Sequence, residues 1–469
     1  MSVRHLALAV VLWSACGHND APPPDASVDG SARPDAALDG SAPDAVAPDA
    51  GMDAGMDAGA DHLIDDLVAA LGNASTGEAG MESLLQPVAW QGGRPIHEDG
   101  RWLFVTRWTD APGSVALVGD FNAWATTAHP AQVAPWGTHY WVVMTDAELG
   151  DPAGQKYKWW GAGDVWRAPP ESTAYAYDAY GQVGYVRPPG DVSWLERFPD
   201  MTTPALPLPR TVRAYLPAGF VPGSAAAAAA RILVLHDGQN VFSPDAPYGG
   251  WQVNDTLDAG YPGVVALAVD SVSDRMDAYS HVVDDPGLGS PVGGQADAYL
   301  DALLNVAIPF LVQRYGLSTD PTRRMVAGSS MGGLVTLYQA LTRPDTLGCA
   351  AALSATLGWG AFASSADGSD ALVRRWPSEA GHGAVALYLD SGGSVNGTCG
   401  DPDGDGVYED SDDADNYCVV TQLRDTLLGL GYQSGVDLFH WWEPDALHNE
   451  ASWAARFYRA LDACTTAGW

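Results

Sequence analysis

The ten residues from Arg324 to Gly333 constrain the fold of this chain more than any other stretch. They contain a G-x-S-x-G pentapeptide, Gly328 to Gly332, which follows a short apolar run and precedes leucine and valine residues at helical spacing. Such a pentapeptide forms a sharp turn from a strand into a helix. Small residues are needed around the serine because bulky ones would clash with the adjoining strand and helix. Ser330 is therefore a candidate nucleophile.

The composition indicates a folded and strongly acidic protein. Its 469 residues are 46% apolar and include 18 tryptophans, which is enough for two folded domains. The net charge is -35. This charge argues against nucleic acid as a partner, because nucleic acid attracts basic surfaces.

Residues 191–469 show apolar strands that alternate with helical patterns. The clearest strand candidates are the runs 232–235, 264–269 and 384–389. This alternation is typical of a doubly wound, mostly parallel sheet. Together with the turn at Ser330, it predicts an α/β-hydrolase domain.

Residues 87–190 show a period of two, which predicts an all-β sandwich. The segment Val118 to Trp124 resembles the V-G-x-F-N-x-W signature of early-set domains, the sandwich modules that precede glycogen-branching enzymes and some esterases. The resemblance implies a sugar-facing role in which Trp124, Trp159 and Trp166 stack on pyranose rings. The alternative is that these aromatic side chains form the core of the sandwich.

Four motifs in the α/β region carry a more specific resemblance. They are L-H-D-G-Q-N-V-F, D-R-M-D-A-Y, G-S-S-M-G-G-L and H-N-E-A-S-W, in this order. Over roughly residues 205–465 the chain resembles the esterase D / enterochelin-esterase-like family, which includes feruloyl esterases. The resemblance implies a serine carboxylic ester hydrolase that requires no cofactor for catalysis.

A serine hydroxyl needs a base, and the base in turn needs an acid that orients it. His448 follows a predicted strand and precedes a helix, as the base does in α/β-hydrolases. Asp390 ends the strand after the elbow and is the favoured acid. The likeness to feruloyl esterases instead implies an acid a few residues beyond that strand, at about Asp415. Asp390 and Asp415 are therefore both candidates for the acid.

The oxyanion that forms during ester hydrolysis needs two preorganised N–H donors. We expect one from Met331, which begins the helix after the nucleophile. The second is expected from the turn at Gly238 and Gln239, where glycine permits a close approach of the backbone.

An acidic insertion separates Asp390 from the next predicted helix. Its oxygen-bearing side chains fall at positions 1, 3, 5, 9 and 12 of a calcium-loop pattern with glycine at position 6. These residues are Asp401, Asp403, Asp405, Glu409 and Asp412. The insertion is therefore either a structural calcium site or a solvated acidic loop.

Four cysteines lie in the α/β region, and three pairings are open to them. A bond between Cys399 and Cys418 would staple the acidic insertion. The remaining bond, between Cys349 and Cys464, would then fasten the C-terminal helix to the sheet.

The N-terminal residues predict export from the cytoplasm. Residues 1–16 resemble a lipoprotein signal with lipidation at Cys16, and the alternative is an ordinary secretory signal. Residues 17–60 are rich in Ala, Pro, Asp and Gly and predict an extended tether. Residues 61–86 predict a short helical segment.

These patterns predict a cell-envelope serine esterase that acts on acetyl or feruloyl esters of a polysaccharide. One alternative is a siderophore esterase, for which Arg275 would supply a cation near the cleft. Another is acyl transfer to a sugar. A non-enzymatic alternative is a tethered lipoprotein that binds glycans.

Overall fold

The structure is a computed structural model that describes residues 62–363, 367–393, 399–409 and 415–469. The expected signal, the tether and Cys16 lie outside the described residues, and so does Asp412. Within the described ranges, no helix is long and apolar enough to span a membrane.

The elements are numbered here in chain order. The helices are α1 Leu63–Gly72, α2 Gly77–Gln91, α3 Asp146–Leu149, α4 Ala225–Ala229, α5 Gly238–Val241, α6 Val253–Gly260, α7 Arg275–Tyr279, α8 Ala296–Ala302, α9 Ile308–Tyr315, α10 Met331–Thr342, α11 Leu372–Glu379, α12 Tyr417–Gly429 and α13 Glu450–Thr466. A π-helical segment, Leu303–Ala307, joins α8 to α9. The strands are β1 Ile96–Glu98, β2 Arg101–Arg107, β3 Val115–Gly119, β4 Gln132–Val133, β5 His139–Thr145, β6 Lys156–Gly161, β7 Val165–Arg167, β8 Ala174–Asp178, β9 Gly181–Tyr185, β10 Trp194–Thr203, β11 Leu206–Leu216, β12 Arg231–His236, β13 Val264–Val269, β14 Val283–Asp284, β15 Val292–Gly293, β16 Arg324–Ser329, β17 Cys349–Leu353, β18 Ala386–Ser391 and β19 Leu438–Trp442.

A large mixed sheet organises the described part of the chain. Its strands lie in the order β19, β18, β17, β16, β12, β13, β11, β10, β8, β9, β6 and β3, and β7 pairs with β6. The run from β19 to β13 is parallel throughout. The carboxyl ends of these strands therefore meet at one edge, where α/β folds place their functional residues. This arrangement is the expected α/β-hydrolase-like fold with a large mixed sheet.

The parallel strands are buried on both faces because helices cover both sides of the sheet. In β12, Ile232 and Val234 belong to one apolar core, whereas Leu233 and Leu235 belong to the other. All four side chains are fully buried. A continuous apolar strand is the signature of such a two-sided core.

A second, four-stranded antiparallel sheet contains β1, β2, β5 and β4. Its apolar residues share a core with β3 and β6, as expected for two facing sheets. Trp159 is fully buried in this core. The expectation that Trp159 stacks on a sugar is therefore wrong, because its ring contacts the opposite sheet instead of solvent.

The antiparallel strands are not separated from the hydrolase sheet. Leu195 and Glu196 of β10 pair with Tyr175 and Ala174 of β8. This pairing carries the hydrogen-bonded ladder from the α/β region into the region 87–190.

Both disulfides that the sequence suggested are present. The bond between Cys349 and Cys464 joins β17 to α13, and the bond between Cys399 and Cys418 joins the acidic insertion to α12. Disulfides persist in oxidising compartments, so both bonds are compatible with an exported protein.

Candidate active site

Ser330 lies at the turn between β16 and α10 and has a strained backbone. Its φ is 56° and its ψ is -121°, a conformation that costs a residue with a side chain about 1–3 kcal/mol. A Cβ atom added to Gly328 would lie 2.5 Å from the carbonyl carbon of Gly332. Gly328 is therefore needed for the turn to close, as the pentapeptide predicts.

Hydrogen bonds hold Ser330 in this conformation. Its backbone N–H donates to the carbonyl of Leu353 at 2.9 Å, and its own carbonyl accepts from the N–H of Thr356 at 3.1 Å. The hydroxyl of Ser330 is hydrogen-bonded to that of Thr356 at 3.2 Å. The last residue of β17 and the loop after it thus hold the candidate nucleophile in place.

His448 is held by Asp415. Nδ1 of His448 donates to Oδ1 of Asp415 at 2.8 Å, and both side chains are almost completely buried. A carboxylate on Nδ1 leaves Nε2 as the basic nitrogen. Nε2 of His448 is buried and has no hydrogen-bond partner among the described residues.

The second oxygen of Asp415 is also fully engaged. Oδ2 accepts from the hydroxyl of Ser354 at 2.8 Å, from the backbone N–H of Gly392 and from Nη2 of Arg456 at 3.3 Å. Three donors on one oxygen fix the direction of the carboxylate.

Asp390, the favoured acid at the end of β18, has a different environment. Its Oδ2 lies 3.1 Å from Nε of Arg456 and accepts from the hydroxyl of Tyr388 at 3.1 Å. No hydrogen bond joins it to His448 among the described residues. Burial raises the pKa of Asp390 to about 6, although Arg456 opposes this shift. The geometry therefore favours Asp415, the alternate, over Asp390.

A short chain of contacts connects the serine to the histidine. Ser354 follows Leu353, whose carbonyl accepts from the N–H of Ser330. The hydroxyl of Ser354 accepts from Nε1 of Trp453 at 3.1 Å. The Trp453 ring contacts the His448 ring edge to face, with centroids 5.0 Å apart. Both residues therefore belong to one packed cluster at the carboxyl edge of the sheet.

The two expected oxyanion segments lie against each other. Met331 and Gly238 begin α10 and α5, where backbone N–H groups have no acceptor within the helix. A Cβ atom on Gly332 would lie 3.3 Å from Cβ of His236 and 3.2 Å from Oδ2 of Asp237. The turn after β12 is therefore packed directly on the turn at Ser330.

Asp237 and Arg275 form a buried ion pair beneath this turn. Nε and Nη2 of Arg275 donate to the two carboxylate oxygens of Asp237 at 2.7 and 2.8 Å. Burial acts to raise the pKa of Asp237, but the Arg275 guanidinium holds it below its ordinary value. Arg275 is only 3% exposed. It braces the turn and does not present the accessible cation that the siderophore alternative required.

Glu450 lies near the site, although the sequence patterns gave it no role. It begins α13 two residues after His448, and it is 1% exposed. Its Oε1 accepts from Nδ2 of Asn240 in α5 at 3.1 Å. Burial raises the pKa of Glu450 to about 7. Its place in the H-N-E-A-S-W motif was the available signal.

A family model described as "Putative esterase" matches residues 203–463, more than half of the chain. The chain belongs to this esterase family. The protein is therefore a carboxylic ester hydrolase, and the matched range contains the whole cluster around Ser330. This confirms the family that the four motifs indicated.

Several solved structures also resemble the esterase. An enterobactin esterase from Shigella flexneri is 15% identical over 84% of this chain and 99% of its own, with a TM-score of 0.41. An enterobactin esterase from Salmonella typhimurium is 15% identical over 78% of this chain and 94% of its own, with a TM-score of 0.40. A ferulic acid esterase is 14% identical over 59% of this chain and 99% of its own, with a TM-score of 0.41. A search of curated proteins gave no match. At these TM-scores the structures carry no argument about the substrate.

The acidic insertion of the esterase brings three carboxylates together. One oxygen each from Asp401, Asp403 and Asp405 lies within 4.8 Å of the others. Asp401 accepts from the N–H of Gly404 through Oδ1 and from the N–H of Gly406, the glycine at position 6, through Oδ2. Glu409 pairs with Gly400 across the base of the loop. Carboxylates at this spacing fit the oxygen ligands of calcium.

The other two tryptophans suggested for sugar binding lie near the surface of the antiparallel part. Trp166 is 44% exposed, and its ring centroid is 6.3 Å from that of half-buried Trp124. Their Nε1 groups donate to Asp164 and Asp120, respectively. Trp160, cross-strand from Trp166, also donates to Asp164. The aromatic surface therefore contains Trp124 and Trp166 but not Trp159.

Proposed function

We propose that the esterase uses Ser330 as its nucleophile, His448 as its base and Asp415 as the acid that orients the base. Ser330 Oγ attacks the ester carbonyl while Nε2 of His448 takes its proton. His448 then gives this proton to the leaving alcohol, and the acyl group stays on Ser330. A water molecule, deprotonated by the same nitrogen, releases the carboxylic acid.

The negative charge on the carbonyl oxygen needs donors at the turn. The N–H of Met331 and an N–H from Gly238 or Gln239 are the groups we propose for this role. The ion pair of Asp237 with Arg275 keeps the second segment in place. A donor held rigidly in a site closed to water stabilises the transition state more than one that must reorient.

The observation that carries this proposal is the buried contact between His448 and Asp415, which Trp453 and Ser354 link to the segment that holds a serine with positive φ. A strained residue is retained only where the surrounding structure over-determines it, and such residues concentrate at active sites. The free Nε2 of His448 is the atom that a general base requires.

Short p-nitrophenyl esters provide the test. Ser330→Ala removes the nucleophile, so we expect kcat to fall by about 10³-fold or more. Ser329→Ala is the matched control because it changes the neighbouring serine, which is also buried, and should keep activity within about tenfold. Equal rates for Ser330→Ala and the wild-type protein would overturn the assignment.

We further propose that the substrate is an acetyl or feruloyl ester of a polysaccharide. The exposed face of Trp166 beside Trp124 supports this class, because aromatic rings stack on sugar rings. A panel of acetylated and feruloylated glycans separates the candidates by the acid released. Acyl transfer to a sugar would instead yield an acylated sugar and little free acid.

The location and the calcium site are also proposals. Residues 1–16 and Cys16 support export and lipid anchoring, and the two disulfides suit an oxidising compartment. Asp401, Asp403 and Asp405 would hold a calcium ion that stiffens the insertion, with no part in the chemistry.

A further inference from the structure

A cavity of about 130 Å³ lies where the antiparallel part meets the hydrolase sheet, away from Ser330. Several of the residues that line the cavity belong to the antiparallel part, among them Arg94, Thr173 and Arg187. Glu196 of β10 and Arg314 of α9 line it from the other side. Four strand spacings separate β10 from β16, so the cavity is roughly 20 Å from Ser330 across the sheet.

The charges around this cavity do not balance. Arg314 lies 3.5 Å from the carboxylate of Glu196, which also accepts from the Tyr315 hydroxyl at 2.9 Å. Arg94 is 9% exposed, and its Nε is buried without a hydrogen-bond partner. The charge of Arg94 acts to lower the pKa of Glu82 and of Asp200, but neither carboxylate forms an ion pair with Arg94 among the described residues. The cavity therefore holds more positive than negative charge.

Arg187 has no carboxylate partner in the described part of the chain either. Its guanidinium lies over the ring of Trp102 at 4.9 Å, and no hydrogen bond or ion pair of this group is found among the described residues. Partial burial lowers the pKa of Arg187, but the residue is exposed, so its guanidinium is accessible at the mouth of the cavity. The guanidinium of Arg94 is buried, and removing it from water is costly unless an anion or hydrogen-bond acceptors replace the water.

Three arginines around one cavity are unusual in this protein, which has 23 basic and 58 acidic residues. We propose that the cavity binds a small oxyanion, a carboxylate or a phosphate group, between the guanidinium groups of Arg94, Arg187 and Arg314. The planar fork of arginine matches both groups with paired hydrogen bonds. The hydroxyl of Thr173, which accepts from the N–H of Arg94, is a further donor to the ligand.

The bound anion would link the antiparallel part to the hydrolase sheet. Arg94 and Arg187 precede β10 in the chain, whereas Arg314 belongs to a helix of the hydrolase region. A ligand held by all three stabilises the junction by mass action, because the unfolded chain has no such site. This site is independent of the ester hydrolysis proposed at Ser330.

The test is titration of the full-length protein with inorganic phosphate and, separately, with acetate, at constant ionic strength. Calorimetry and the melting temperature report the affinity. We expect saturable binding of at least one anion by the wild-type protein. In Arg187→Gln the affinity should fall by about tenfold or more, because a charge-assisted hydrogen bond is lost. Arg187→Lys keeps the charge but not the planar fork of the guanidinium, so its affinity should lie between those of the wild-type protein and Arg187→Gln.

Arg375→Gln is the matched control, since it removes the same charge from a surface pair with Glu379 outside the cavity. It should bind like the wild-type protein. Arg187→Gln should hydrolyse esters at the wild-type rate, which shows that it is folded. Tighter binding of phosphate than of acetate, or the reverse, identifies the anion. Equal affinity of Arg187→Gln and the wild-type protein, or no saturable binding of either anion, would overturn the proposal.

Discussion

Nδ1 of His448 lies 2.8 Å from Oδ1 of Asp415, although the two residues are 33 positions apart in the sequence. Asp390 lies at the end of β18, two strands away from the nucleophile, and its carboxylate contacts Arg456. Arg456 thus contacts both aspartates, but only Asp415 also contacts His448. Asp390 compensates its charge, and Asp415 is oriented toward the imidazole.

The first prediction separates the two aspartates by substitution. Asp415→Asn keeps the size of the side chain but removes the charge that holds His448 in its tautomer. We expect kcat on p-nitrophenyl acetate to fall by about 10³–10⁴-fold, because an imidazole in the wrong tautomer cannot accept the proton. Circular dichroism checks that the variant is folded.

Asp390→Asn is the comparison for this experiment. It leaves the contact between His448 and Asp415 intact but deprives buried Arg456 of a partner. We expect a loss of about 3–5 kcal/mol in the free energy of unfolding, with kcat of the folded protein within about tenfold of wild type. The opposite result, with activity lost only in Asp390→Asn, would restore Asp390 as the acid.

The second prediction concerns the pH dependence of stability at Glu450. Burial raises its pKa in the folded protein to about 7, from an ordinary value of 4.5. Between these values the folded state binds more protons than the unfolded state, so stability decreases as pH rises. Glu450→Gln removes this group and still offers an oxygen to Asn240.

Urea denaturation at pH 5 and at pH 8 measures this effect. The stability of Glu450→Gln relative to wild type should increase between the two pH values by about 1–3 kcal/mol. Parallel pH curves for the two proteins would mean that Glu450 is already ionised in the folded state.

The sequence predicted the nucleophile because its constraint is local. The turn at Ser330 needs glycine at position 328, and both glycines of the pentapeptide lie two positions from the serine. The acid could not be decided in the same way. The insertion after β18 returns Asp415 to the sheet, and this path depends on Ser354 and Arg456, which are distant in sequence.

The tryptophans of the antiparallel part show a second limit of sequence reasoning. Trp159 and Trp160 are neighbours in β6, so their side chains point to opposite faces of the sheet. The period of two predicts this alternation but not which face is covered. The core shared with β2 and β3 decided that Trp159 is buried.

The third prediction concerns calcium. If Asp401, Asp403 and Asp405 bind the ion, calcium should raise the melting temperature and a chelator should reverse the change. At a calcium concentration of about 100 times Kd, the stabilisation should be about 2.7 kcal/mol.

Asp403→Asn tests this site, and Asp110→Asn is the control. Asp110 is exposed in the antiparallel part, so its substitution removes the same charge outside the insertion. We expect the response to calcium to be lost only in Asp403→Asn. A wild-type melting temperature that does not respond to calcium would identify the insertion as a solvated loop.

The fourth prediction compares the two disulfides. The bond between Cys349 and Cys464 closes 115 residues, whereas the bond between Cys399 and Cys418 closes 19. On the chain-entropy model, loss of the longer-loop bond should lower the free energy of unfolding by about 4–5 kcal/mol, and loss of the shorter-loop bond by about 3 kcal/mol. Urea denaturation of the paired alanine variants measures both values. A larger loss from the shorter loop would show that the insertion is stabilised mainly by the bond itself and not by its packing.

The fifth prediction concerns the exposed aromatic pair. Trp166→Ala removes the more exposed ring of the pair with Trp124, so binding of a soluble xylan should weaken by about tenfold. Tyr180→Ala is the matched control, because Tyr180 is 87% exposed but lies in the turn between β8 and β9. Trp159→Ala should instead lower the free energy of unfolding by about 3–5 kcal/mol, because it leaves a cavity in the shared core. Affinity electrophoresis measures xylan binding in all three variants. If Trp166→Ala and Tyr180→Ala both bind xylan like the wild-type protein, the aromatic pair has no part in substrate binding, and ester recognition must depend on the hydrolase region alone.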